Sequence, residues 1–102
     1  MITSDITAAE LKQRLANHET PVILDVREPW EHEEQSIPGS ILIPLGSLPE
    51  RMSELDDYKE QEVLVHCRSG KRSATAQAIM QQQGFKHVRN VEGGMLAFNE
   101  AQ

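Results

Sequence analysis

The sequence predicts an α/β domain built on a mostly parallel sheet with helices on both faces. Two short apolar runs, Val22-Ile-Leu-Asp-Val26 and Glu62-Val-Leu-Val-His66, are nearly continuous, as expected of strands covered on both sides. Helical segments alternate with the strand candidates, and parallel neighbours need such crossovers. A chain of 102 residues, 38% of them hydrophobic, fits one small domain over residues 1–102 with one core, and excludes a two-domain enzyme.

Taken in order, Thr7-Ala-Ala-Glu10 has the spacing of a capping box, and Leu11 and Leu15 follow at i,i+4, so a helix is expected from about Ala8 to Asn17. The Val22–Val26 strand comes after Pro21 and should be central. Pro29 suits a first helical turn, which makes Glu28 to Gln35 a short, very acidic helix ended by Ile37-Pro38-Gly39. Ser40 to Ile43 is the next strand candidate, closed by Pro44. Ser47-Leu-Pro-Glu50 reads as a second capping box opening a helix to about Leu55. Glu62 to His66 is a strand, Cys67 to Arg72 a loop, and Ser73 to Gln83 a helix stopped by Gly84. Val88 to Val91 is the last strand, and Gly93-Gly94 breaks the chain before a short terminal helix.

Only four residues are aromatic, so Ile, Leu, Val and Met must form an aliphatic core, each large side chain contributing roughly 1.5 to 3 kcal/mol when fully buried. The net charge of −6 argues against nucleic-acid or anionic-membrane partners. That sum hides an asymmetry. Residues 1–62 carry five cations against 14 acids, whereas residues 63–102 carry five cations against two acids. The start, MITSDITAAELKQRL, lacks a basic region followed by an apolar stretch, and no apolar run approaches the roughly 20 residues that span a bilayer, so the cytoplasm is the expected compartment. A monomer is expected.

One cysteine allows no internal disulfide and no cysteine-rich metal cluster. Cys67 is either a packed small hydrophobe or a reactive group, and its setting favours the second. It falls at the carboxyl end of a strand in a parallel sheet, where ligands bind. Gly70 permits the positive φ of an anion-binding nest, and the following helix contributes partial positive charge at its N-terminus. Arg68, Lys71, Arg72 and the helix end are expected to lower the thiol pKa from about 8.5 toward roughly 3.5 to 7.5, which makes a thiolate nucleophile that needs no partner base. Arg72 is read either as a substrate contact or as a tie to Asp25.

At this point four segments resemble the rhodanese family of sulfurtransferases: LDVREPWE (24–31), IPGSILIPL (37–45), VHCRSGKRSA (65–74) and NVEGGMLAF (90–98), in the family's order and spacing. Gln35-Ser36 departs from the Gly-His that many members carry there. The resemblance implies a three-layer fold with about five short strands and a persulfide on Cys67, cradled by Arg68, Ser69, Gly70, Lys71 and Arg72, with Asp25 and Arg27 fixing the neighbouring loop from behind. It implies transfer of a sulfane sulfur from thiosulfate, or a related persulfide or polysulfide, to cyanide, a small thiol or a protein thiol, without metal or organic cofactor. A sulfur carrier or interaction module serving a protein acceptor is the alternative. A cysteine phosphatase or arsenate reductase is the rival class, but related phosphatases place five residues between Cys and Arg, whereas this chain has C-x-x-x-x-R with Ser at position 73.

Other residues read as less active. His66 adjoins Cys67 but should face the other side of the strand, as a core or edge histidine. His18, His32 and His87 lack ligand spacing. Glu28, Glu31, Glu33 and Glu34 read as a solvated helix face or a docking surface for a basic partner. Trp30 is a core anchor or a rim residue. Ser69 and Ser73 are candidate donors to the persulfide, with capping the preferred role for Ser73.

Overall fold

The computed structural model describes residues 4–102. Met1, Ile2 and Thr3, where the segment read for a targeting signal begins, lie outside the described residues. Five parallel strands, β1 (Ile6–Thr7), β2 (Val22–Asp25), β3 (Ile41–Leu42), β4 (Glu62–His66) and β5 (His87–Glu92), form one sheet in the order β1-β5-β4-β2-β3. Every adjacent pair runs parallel, with Val65 of β4 in register between Leu24 of β2 and Asn90 of β5. The helices are α1 (Ala8–Ala16), α2 (Pro29–Glu34), α3 (Leu48–Arg51), α4 (Lys71–Gln82) and α5 (Gly94–Glu100).

The alternation of side chains along each strand splits the core in two. Leu24, Val63 and Val65 face a layer that includes Leu48 of α3 and Ala76 and Met80 of α4, while Ile23 and Leu64 face Leu11 of α1 and Met95 of α5. The expected single core is therefore two aliphatic layers separated by the sheet. Cys67 belongs to the α4 side.

Several local expectations need correction. Ile6–Thr7 is an edge strand that two residues of pattern cannot reveal. Thr7 does cap α1, accepting the Glu10 N–H at 3.0 Å. Ser47 makes no side-chain cap bond; a 3₁₀ turn over Leu45–Ser47 leads into α3, and the chain then tightens to 3₁₀ geometry over Met52–Tyr58. The capping box that does form is at α2, where the Glu28 and Glu31 side chains bond each other's backbone N–H groups. Helix α4 starts at Lys71, two residues before the expected Ser73, because Gly70 at φ 104° serves as its N-cap.

Candidate active site

The site lies where β4 ends and α4 begins. Apolar β4 is buried between β2 and β5, so the chain leaves the sheet with Cys67 only 1% exposed. Gly70 then adopts the left-handed conformation that favours glycine and turns the backbone back over the sulfur. Its N–H donates to Cys67 Sγ at 3.1 Å. From the first turn of α4, the Ser73 N–H donates at 3.4 Å and the Ser73 hydroxyl at 3.3 Å. Ser73 is thus a donor to the sulfur from inside the helix rather than a helix cap.

Burial of Sγ pushes the thiol up, since it penalises the charged form. The Ser73 hydroxyl and the N–H groups of Ser73, Gly70 and Ser69 outweigh burial and hold Cys67 below its ordinary value. The direction is as the sequence suggests, but the main means are hydrogen bonds, with Arg72 the one expected cation that acts on the sulfur through its charge. Arg68 and Lys71 are exposed and, among the described residues, make no ion pair. Arg72 is already neutralised by a bidentate pair with Glu31, at 2.8 and 3.0 Å.

That pair corrects two further readings. Arg72 ties α4 to α2 through Glu31, not to Asp25, and Glu31 is a buried partner rather than part of a solvated face. The Arg72 hydrogen bonds, opposed by burial and aided by the Glu28 N–H, lower the Glu31 carboxyl to about 2. Asp25, fully buried at the end of β2, accepts the Arg27 backbone N–H at 3.0 Å, Arg27 Nε at 2.9 Å and Nη2 at 2.8 Å, and contacts His32 Nδ1 at 2.9 Å. These bonds to Arg27 and His32 overcome burial and keep Asp25 below the usual carboxylate value. Arg27 also donates to the Gln35 carbonyl at 2.6 Å, so the Asp25–Arg27 unit fixes the path of α2. Gln35 and Asn99 exchange side-chain hydrogen bonds at 2.7 and 3.0 Å, linking the end of α2 to α5.

His66 is fully buried, with Nδ1 3.4 Å from the Cys67 carbonyl oxygen and no hydrogen-bond partner at Nε2. Burial lowers its pKa, so it is a neutral core histidine. The loop is held from behind by α5, whose Met95 and Leu96 N–H groups donate to the carbonyls of Cys67 and Arg68 at 2.9 and 3.1 Å. Those carbonyls point into α5, leaving the loop N–H groups for the sulfur. Gly94 is where this contact is made: a Cβ there would lie 2.6 Å from the Arg68 oxygen. Neither α5 nor Asn90, which accepts the Ser73 hydroxyl at 2.6 Å, was singled out as part of the site by motif spacing. The visible signals were that Asn90 and the start of α5 lie in the NVEGGMLAF segment and that glycines 93 and 94 are paired within it.

Trp30, 64% exposed, and Leu96, 45% exposed, resolve the question of the tryptophan in favour of the rim. With Arg27, Glu31, Arg68 and Met95 they line a groove of about 170 Å³ beside the loop. Among the described residues, no helix is long and apolar enough to cross a membrane.

Known proteins share this fold. A sulfurtransferase of Allochromatium vinosum is 38% identical over 97 residues, covering 95% of this chain and 89% of that protein. The thiosulfate sulfurtransferase PspE of Escherichia coli is 34% identical over 70 residues, covering 69% of this chain and 67% of that one. The crystal structure of a rhodanese-related protein from Thermoplasma volcanium superposes with a TM-score of 0.83 at 35% identity, covering 96% of this chain and 92% of that one. The rhodanese-like domain model matches residues 7–101, and the chain belongs to the rhodanese family.

Proposed function

We propose that the protein, as one cytoplasmic, monomeric domain over residues 1–102, moves a sulfane sulfur from thiosulfate, or a related persulfide or polysulfide, through a Cys67 persulfide to cyanide or a thiol. The observation that carries this reading is the cradle: a buried sulfur, held below its ordinary pKa, with Gly70 and Ser73 donors aimed at it. Sulfur transfer in general is supported by the sulfurtransferases among its relatives.

The Cys67 thiolate attacks the outer sulfur of thiosulfate. A Cys67 S–S bond forms, the S–S bond of the donor breaks, and its electron pair leaves with sulfite. The terminal sulfur of the persulfide keeps the negative charge, and the loop N–H groups are the donors available to it. Exposed Arg68 and Lys71 draw in the dianion, and with Arg72 engaged by Glu31 they are the uncommitted cations of the loop. Cyanide or a thiolate then takes the terminal sulfur, leaving as thiocyanate or a new persulfide, and Cys67 returns to the thiolate. Intact mass after thiosulfate treatment tests the reading. Wild type gains one sulfur atom and Cys67→Ser gains none; equal adducts on both, or none on either, would overturn it.

A second reading, a sulfur carrier serving a protein acceptor, is favoured by one observation. The two exposed large hydrophobic side chains among the described residues, Trp30 and Leu96, flank the same groove beside Arg68. Single-turnover release to cyanide, small thiols and protein thiols separates the two, because a carrier releases sulfur fast only to the protein. The rival phosphatase class would require rapid phosphate-ester hydrolysis that depends on Cys67.

A further inference from the structure

We propose that Asn90 is a positioning residue for Cys67: its amide nitrogen holds the Gly70 carbonyl, and its amide oxygen competes with Sγ for the single hydrogen of the Ser73 hydroxyl. Asn90 lies on β5, 8% exposed, and is fixed through its backbone N–H, which donates to Asp5 at 3.0 Å. Its Nδ2 donates to the Gly70 oxygen at 3.1 Å, and its Oδ1 accepts from Ser73 Oγ at 2.6 Å. The amide cannot be turned over, since Oδ1 would then oppose the Gly70 carbonyl, acceptor against acceptor.

A hydroxyl has one hydrogen to give, and Ser73 has two acceptors within reach, Asn90 Oδ1 at 2.6 Å and Cys67 Sγ at 3.3 Å. Against a neutral thiol, the short bond to the amide oxygen is the better one. The thiol S–H can then donate to the Ser73 oxygen. Against a thiolate, the charge-assisted bond to sulfur wins, and the hydrogen turns away from Asn90. Asn90 therefore sets the threshold at which Ser73 commits to the sulfur, while its other end keeps the Gly70 N–H aimed at Sγ.

The other charges around the thiol come from several elements. Arg72 of α4 acts on Cys67 and carries Glu31 of α2 with it; Arg68 and Lys71 flank the loop; His66, Asp25 and Arg27 lie toward β2; Asp5 reaches Asn90 from the far side. None of these offers Ser73 an alternative acceptor.

The inference rests on Cys67 as the reactive thiol, and its test does not depend on sulfur uptake. The ultraviolet thiolate absorbance of the full chain is titrated, with Cys67→Ser as the blank, in wild type, Asn90→Asp, Ser73→Ala and the double variant. Asn90→Asp grips the hydroxyl more firmly, cannot donate to Gly70 and brings a negative charge near the sulfur, so the midpoint should rise by at least about one pH unit, a tenfold loss of thiolate at fixed pH. In the Ser73→Ala background the charge and the lost Gly70 bond still act but the grip on the hydroxyl is gone, so the rise should be smaller. No rise, or an equal rise in both backgrounds, overturns the proposal. If Asn90→Asp does not fold, the side-chain amide resonances of Asn90 in labelled wild type decide. They should follow the Cys67 titration and lose most of that response in Ser73→Ala; resonances indifferent to it overturn the proposal. A protein that titrates as described but takes up no sulfur would instead sink the persulfide reading alone.

Discussion

Burial and hydrogen bonding pull the Cys67 thiol in opposite directions, and the sign of the result decides when the site works. Because the hydrogen bonds win, the thiolate is reached at lower pH than for a free thiol. Sulfur uptake should therefore rise with pH with its midpoint below 9.0, the ordinary thiol value, and fall on the acid side as Cys67 protonates. Hydrogen bonds to charged groups contribute about 1.5–3 kcal/mol, so Ser73→Ala should move this rise up by about one to two pH units. A pH–rate profile of mass-detected persulfidation checks it, and an unmoved profile would remove Ser73 from the site. Ser73 is also where the sequence misleads, because a serine ahead of an Ala-rich stretch reads as a cap. Its true role depends on a left-handed Gly70 starting the helix early and turning position 73 inward, which local spacing does not encode.

Two elements brace the loop, α5 through its backbone and α2 through a side chain. Helix α5 donates Met95 and Leu96 N–H groups to the Cys67 and Arg68 carbonyls, an approach possible only because position 94 has no Cβ. Gly94→Ala should cost about 1–3 kcal/mol through forced separation, lowering Tm by several degrees, and should slow sulfur uptake beyond what the stability loss explains. Helix α2 braces the loop through Glu31, held at about 2 by Arg72. The folded value lies below the unfolded 4.5, so the contribution of the pair is complete above about 4.5 and vanishes as pH falls toward about 2. Acid unfolding of Glu31→Gln should be flatter than wild type across that window; identical acid limbs would count against the pair. The apolar β4 run and the Gly in the loop after it were legible as strand, turn and helix. The Glu31–Arg72 pair was not, since a carboxylate 41 residues away carries no mark of its partner.

At the scale of the whole molecule, the proposed function asks a chain of net charge −6 to receive a dianion, which rests on the placement of its cations. Lys71 is exposed and unpaired among the described residues, so Lys71→Glu should raise the thiosulfate concentration for half-saturation several-fold with kcat and Tm nearly kept. Added salt should narrow the gap between the two proteins, because exposed charges are screened within about 10 Å at 0.1 M. Unchanged saturation would take Lys71 out of the approach path. The parallel sheet was legible from β2 and β4, whose apolar runs announce burial on both faces. Edge strand β3 was legible within Ser40 to Ile43, closed by Pro44, whereas β1, only two residues long, is too short to show a period and exists because β5 offers it backbone partners. The clasp of α5 on the loop also has a consequence for biosynthesis. The carbonyls of Cys67 and Arg68 find their donors only after residues 93–96 have been made, and the Asn90 partner of Ser73 is likewise later in the chain. While the ribosome is still extending that region, the loop lacks these partners, and the cradle around Cys67 can be completed only once the polypeptide has α5 to close behind it.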